Sequence, residues 1–162
     1  MSTSTENPTV QTGFETRVLA EGYGTGAWHG ADLKAALADV VPELAFWRPG
    51  AGGHNIAEIA LHHAYCTRAV RSQISGQPAE SFVLEGEDWF DVSDETRLSW
   101  QKILATVDTE QQRLGTLVAD IEAGKTTSPL ANPERFSLVL GITCHAIYHA
   151  GQIQLIKRLR DK

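Results

Sequence analysis

Residues 100–121 read WQKILATVDTEQQRLGTLVADI. Trp100, Ile103, Val107, Leu114, Leu117 and Ile121 fall on one line that advances by alternate steps of three and four, and Glu110 fills the remaining place. That alternation paints an apolar stripe along a single helix face, the pattern of a helix in a bundle. The helix is predicted to start near Ser93, with Asp94 and Glu95 in its first turn, and to stop at Gly124. Glu110 is expected to lean toward solvent as a partly exposed seam charge, because buried unpaired carboxylates are rare.

On either side of this stretch the same period recurs. Upstream, Asn55 is an N-cap with Glu58 placed for a capping box. Ile56, Ile59, Cys66, Val70 and Ile74 then give an apolar face, and Gly76 with Pro78 ends the helix. The connection 77–92 carries Phe82, Trp89 and Phe90. A loop so long and so aromatic is expected to fold over something. Downstream, past Pro129 and Pro133, a last helix is predicted from Phe136 to Leu159. Nearer the start, Phe14 to Tyr23 reads as a short helix broken by Gly22, Gly24 and Gly26. Leu33, Leu37, Val40 and Leu44 recur at helical spacing, with Pro42 ending or restarting that helix. Residues 47–53 read as a loop, and 1–13 as a polar, flexible tail. No stretch alternates with period two, and there is no internal repeat. The expectation is an all-α single domain over 1–162, a four-helix bundle with a short extra helix.

With 162 residues, 42% hydrophobic and 21% charged, the composition is that of an ordinary globular chain. The net charge of -6 opposes binding to a phosphate backbone. Lys157, Arg158, Arg160 and Lys162 form a basic cluster, read as a helix end whose cations offset the macrodipole. No nucleic-acid partner is expected. Cys66 and Cys144 are too few for a disulfide framework and read as reduced thiols. The start, MSTSTENPTVQTG, has neither the basic region nor the apolar run of a signal peptide, and no window is apolar enough to span a membrane. A cytoplasmic protein without membrane contact is the expectation.

Chemistry concentrates in the histidines. His145-Ala-Ile-Tyr-His149 puts two imidazoles four residues apart, one turn above the other on one helix face. Both share the stripe of Leu138, Ile142, Gln152 and Ile156, so both should face inward. Neutral buried imidazoles need partners, and one divalent ion supplies both at once. A third ligand should come from the other histidine-bearing helix, where His62 and His63 are adjacent and periodicity does not choose between them. Three other metal chemistries fit poorly. The zinc-protease motif needs glutamate where Ala146 stands. The di-iron bundles need glutamate three residues before histidine, and neither His145 nor His149 has one, while Glu58 lies four before His62. A closed four-ligand zinc site would have to recruit Cys66 or Cys144. No general base can be named: His54, His63 and Glu58 are near in sequence, but each has an ordinary capping or surface role.

The segments HNIAEIALHHAY (54–65) and HAIYHAGQIQLIKRL (145–159) resemble the two signature stretches of the DinB/YfiT-like superfamily. AWHGADLKAAL (27–37) and GEDWF (86–90) also resemble segments found in some members. The resemblance implies a four-helix bundle with a three-histidine metal site open to a pocket at one end. It assigns the histidine after Ile59-Ala60-Leu61, hence His62, as a ligand beside His145 and His149, with Gln152 as a supporting partner. It further implies a metal-dependent enzyme acting on a small molecule. That enzyme would be an S-transferase using a low-molecular-weight thiol or a hydrolase, with zinc or nickel, or else iron or manganese. The alternative is a non-catalytic metal-binding stress-response protein. Cys66 and Ala57 depart from the tryptophans common in relatives, which leaves more room beside the metal or a different packing. A homodimer is common among similar proteins, and the 100–121 helix offers a surface for one.

Overall fold

Two of the three long helices begin where a side chain can take an unpaired amide of the first turn. In the computed structural model, which describes residues 13–24 and 26–161, six helices follow one another. They are α1 (Phe14–Gly22), α2 (Leu33–Leu37), α3 (Pro42–Ala45), α4 (Ile56–Ser75), α5 (Trp100–Glu122) and α6 (Asn132–Arg160). No strand occurs among the described residues, so the chain is all-α. The tail expected over 1–13 lies outside the described residues except for Gly13, which is the N-cap of α1.

Helix α4 starts as expected: Asn55 accepts the Glu58 N–H at 2.8 Å, and the Glu58 carboxylate accepts the Asn55 N–H at 3.3 Å. Helix α5 starts seven residues later than the stretch at Ser93 suggested. The Asp94 carboxylate turns back to the Thr96 N–H at 2.8 Å, and Ser99 caps instead by accepting the Lys102 N–H at 3.2 Å. A short polar side chain that bonds its own backbone competes with the helix, which is why Asp94 did not begin one, while Glu95 reaches forward to accept the Trp100 N–H at 2.9 Å. Helix α6 starts earlier than Phe136, because Pro133 fits the first turn, where its missing N–H costs nothing. Pro42 likewise restarts the chain, so the single helix expected near Leu33–Leu44 becomes the two short ones, α2 and α3.

Helix α4 packs on α5 and α6, and α1 packs on the same two, which closes a four-helix ring with α2 laid against α6. Leu19, Ile74, Leu114, Val118, Val139 and Ile142 fill one end. Leu33, Ile56, Leu61, Trp100, Ile103 and Ile153 are among those that fill the other, where α2, α3 and the 80s loop close over the ring. The α5 seam faces this interior, with Trp100, Ile103, Val107 and Leu114 buried.

Glu110 departs from expectation. It is 6% exposed, and Arg71 of α4 and Arg113 meet its carboxylate at 3.3 and 3.4 Å. A guanidinium from the neighbouring helix makes the seam carboxylate tolerable, a partner that periodicity within one helix cannot show.

Gly76 ends α4 with φ of 70°, and a Cβ there would approach the Pro129 ring to 2.7 Å. Left-handed backbone and crowding act together. Gly76→Ala is expected to lower stability by more than about 1 kcal/mol, read as an earlier urea midpoint. Among the described residues no helix is long and apolar enough to cross a membrane.

Candidate metal centre

The histidines of α4 and α6 meet where the two helices pack on each other. The Nε2 atom of His145 lies 3.1 Å from that of His62 and 3.1 Å from that of His149. The rings stand at steep angles, 53° between His62 and His145 and 84° between His145 and His149. They therefore meet edge to edge rather than stacking. Nitrogens bound to one ion at about 2.0–2.1 Å are separated by roughly 3 Å, a spacing that these two contacts match.

The hydrogen atoms can be assigned from the far side of each ring. The closest partners of His62 Nδ1 are acceptors, the Asp88 carbonyl and carboxylate, each at 3.0 Å, so it donates and leaves Nε2 bare. His149 Nδ1 faces the Gln152 side-chain oxygen at 2.6 Å. That amide is oriented by its own NH2 group, which donates to the Tyr148 hydroxyl at 3.2 Å. His149 Nε2 is therefore bare too. Two lone pairs directed at the His145 edge repel unless a cation sits among them; a single N–H on His145 can satisfy only one. The donor set fits a divalent ion.

Burial favours the neutral form of His145 and His149, the form that binds metal. It pushes His145 down to about 4, helped by His149 and His62. It lowers His149 as well, against the opposing pull of Gln152. Cys66, one turn beyond His62, places Sγ 3.9 Å from both ring nitrogens of His62. Burial, and then the nearby Asp88 charge, push its thiol up to about 11. Candidate ligand atoms of His62, Cys66 and His145 all lie within 4.8 Å of one another, so this group can hold a metal ion. Cys66 and Cys144 are both free thiols.

His63 does not sit at the surface, contrary to its sequence reading. It is 1% exposed, and its Nδ1 lies 3.0 Å from Nδ1 of His145, on the side of that ring away from the other two histidines. Glu58 is also buried, and does more than cap. It takes Arg48 at 2.5 and 2.9 Å, His54 at 3.0 Å and the Val92 N–H at 3.3 Å.

The loop before α5 does fold over something, and what it covers is His62. The Trp89 indole lies flat between His54, at 3.7 Å, and His62, at 3.9 Å, with both rings within 8° of parallel. Asp88 adopts φ of 62°, the left-handed region that only glycine enters freely. That conformation turns both its carbonyl and its carboxylate toward His62. Two cavities flank the cluster. One of about 560 Å³ is lined by Arg48, His54, Glu58 and Trp89. The other, about 310 Å³, is mainly apolar and is lined by His54, Gln152, Leu155 and Leu159. His54 borders both.

The sequence carried a signal for some of this and none for the rest. His63 beside His62 on an apolar face, and the segment GEDWF, were visible without their roles. Nothing in the spacing pointed Arg48 at Glu58. Comparison with curated proteins and with solved structures finds no match, whereas a family model for the DinB superfamily matches residues 25–153. Since that match spans most of the chain, and the fold is an all-α bundle with histidines converging from its two signature helices, the chain belongs to the DinB superfamily.

Proposed function

We propose that this chain is a metal-dependent enzyme in which His62, His145 and His149 hold one divalent ion, zinc or nickel foremost, with iron or manganese able to use the same donors. The observation that carries the reading is the pair of 3.1 Å contacts between bare imidazole edges. An ion held by three imidazoles supplies an open position at which water or a low-molecular-weight thiol loses its proton near neutral pH. The chain's own contribution is orientation. Asp88 and Gln152 fix two of the rings, and such outer partners are worth 10–100-fold in metal affinity. Trp89 and the closely packed rings shield two of the donors, His62 and His149 being 8% and 3% exposed, while His145 is half-buried. The cavities of about 560 and 310 Å³ are of a size for a small molecule and reach the three histidines through their neighbours Trp89 and Gln152. An S-transferase using a small thiol, or a hydrolase, fits this arrangement; nucleic acid and membrane do not enter it.

A second reading has its own observation, the Cys66 thiol 3.9 Å from His62. Were Cys66 the fourth ligand, the sphere would be closed and the protein would bind metal without turnover. Cobalt- or nickel-loaded protein distinguishes the two by thiolate charge-transfer absorption. The enzyme reading expects no such band until a thiol is added, and an unchanged response in Cys66→Ser. A band present from the start and lost in Cys66→Ser establishes the closed site. A spectrum unmoved by any thiol, with Cys66 silent, leaves the hydrolase as the enzyme reading.

A further inference from the structure

His145 differs from the other two rings in what stands behind it. His62 has an aspartate and His149 an amide oxygen, both of which can only accept from the ring. His145 has another imidazole, and an imidazole pair admits two arrangements of its hydrogens. In one, His145 donates from Nδ1 and its Nε2 is bare. In the other, His63 donates, His145 carries its hydrogen on Nε2, and that edge is blocked.

Thr67 decides between them. Its hydroxyl donates to the His63 carbonyl at 2.9 Å, one turn back along α4, so the oxygen shows a lone pair to His63 Nε2 at 3.3 Å. His63 therefore carries its single hydrogen on Nε2, and its Nδ1 is an acceptor 3.0 Å from His145. We propose that His63 and Thr67 act as a buried tautomer lock that forces His145 to present a bare Nε2 to the cation. His63 is then a positioning residue and neither a ligand nor a general base, because its hydrogen-bonded line ends inside the helix, at its own carbonyl. Both residues are 1% exposed, so no solvent molecule competes for either contact. The proposal rests on the metal reading for its purpose, though not for the hydrogen assignment itself.

Two measurements on the full chain test it. Long-range proton–nitrogen spectra of metal-free protein report which nitrogen of His145 carries hydrogen, and chelator competition reports zinc affinity. Wild type is expected to show His145 protonated on Nδ1. His63→Ala and the isosteric Thr67→Val are expected to give a tautomer mixture, with zinc bound 10–100-fold more weakly in His63→Ala. His63→Asn, which keeps an acceptor near the Nδ1 position, should recover most of the affinity, and Thr67→Ser should match wild type. If His63→Ala loses its helical signal, Thr67→Val and His63→Asn carry the test. Unchanged tautomer and affinity in Thr67→Val and His63→Ala overturn the proposal. Wild type that shows the Nδ1 tautomer yet binds neither zinc nor nickel overturns the metal reading and leaves the lock standing.

Discussion

Alanine at His62 or at His149 is expected to abolish tight binding of zinc or nickel, with a loss well beyond the 10–100-fold that outer partners command. In the proposed site each residue supplies one of three donors, and each far nitrogen is already committed, His62 to Asp88 and His149 to Gln152. No other imidazole can take the vacated place. His63 is engaged through the back of His145, and His54 is separated from His62 by the Trp89 indole. Because binding to the native state adds to its stability, the same substitutions should remove the thermal shift that metal produces. At a thousandfold excess over the dissociation constant, that shift corresponds to about 4 kcal/mol, or on the order of 10 °C for a chain of this size. Elemental analysis and scanning calorimetry, with and without metal, read both effects. His63→Ala is the informative control, since it should weaken binding without removing it. Metal retained by His62→Ala and absent from His63→Ala would reverse the ligand choice.

What was legible in the sequence follows from how far each interaction reaches along the chain. The α5 stripe, the Asn55–Glu58 box and the His145/His149 pair are relations within one helix turn or one repeat, and spacing encodes them directly. The choice of His62 over His63 is different. Both rings are buried on the same wide face of α4, and only the direction from which α6 approaches distinguishes them. Family resemblance pointed to His62, whereas periodicity was silent. Glu110 was misplaced for a related reason: its partner Arg71 is on another helix, 39 residues away. The start of α5 was misread because Asp94, Glu95 and Ser99 are all acceptable near a helix start, and spacing does not show that Asp94 turns to Thr96 while Ser99 takes the Lys102 N–H. The hold of Asp88 on His62 rests on a left-handed residue in an irregular loop, a conformation that no periodic pattern announces.

Glu58 is the place where the fold and the site depend on one carboxylate. Removing its charge as Glu58→Gln is expected to cost about 3 kcal/mol, the lower end of the range for breaking a buried ion pair, because Arg48 is itself 35% exposed and partly served by water. The consequences reach past the pair. The same carboxylate accepts the Val92 N–H at 3.3 Å and the His54 ring at 3.0 Å, so it ties the 80s loop and the α3–α4 connection to the first turn of α4. Loosening it should speed amide exchange at Val92 and release the stack in which Trp89 covers His62. The pH dependence has a definite sign. Burial alone would raise the Glu58 carboxyl, but hydrogen bonds from Arg48, His54 and Val92 outweigh it and hold the group below its ordinary value. A carboxyl lowered in the folded state contributes stability that is complete above its unfolded value and disappears as pH falls through the folded one. Urea unfolding from about pH 6 down to about pH 3 should therefore show wild type losing stability more steeply than Glu58→Gln, the two curves converging toward the acid end. Parallel curves, or a variant as stable as wild type at neutral pH, would mean that the pair contributes nothing net and that packing alone holds the covering loop in place.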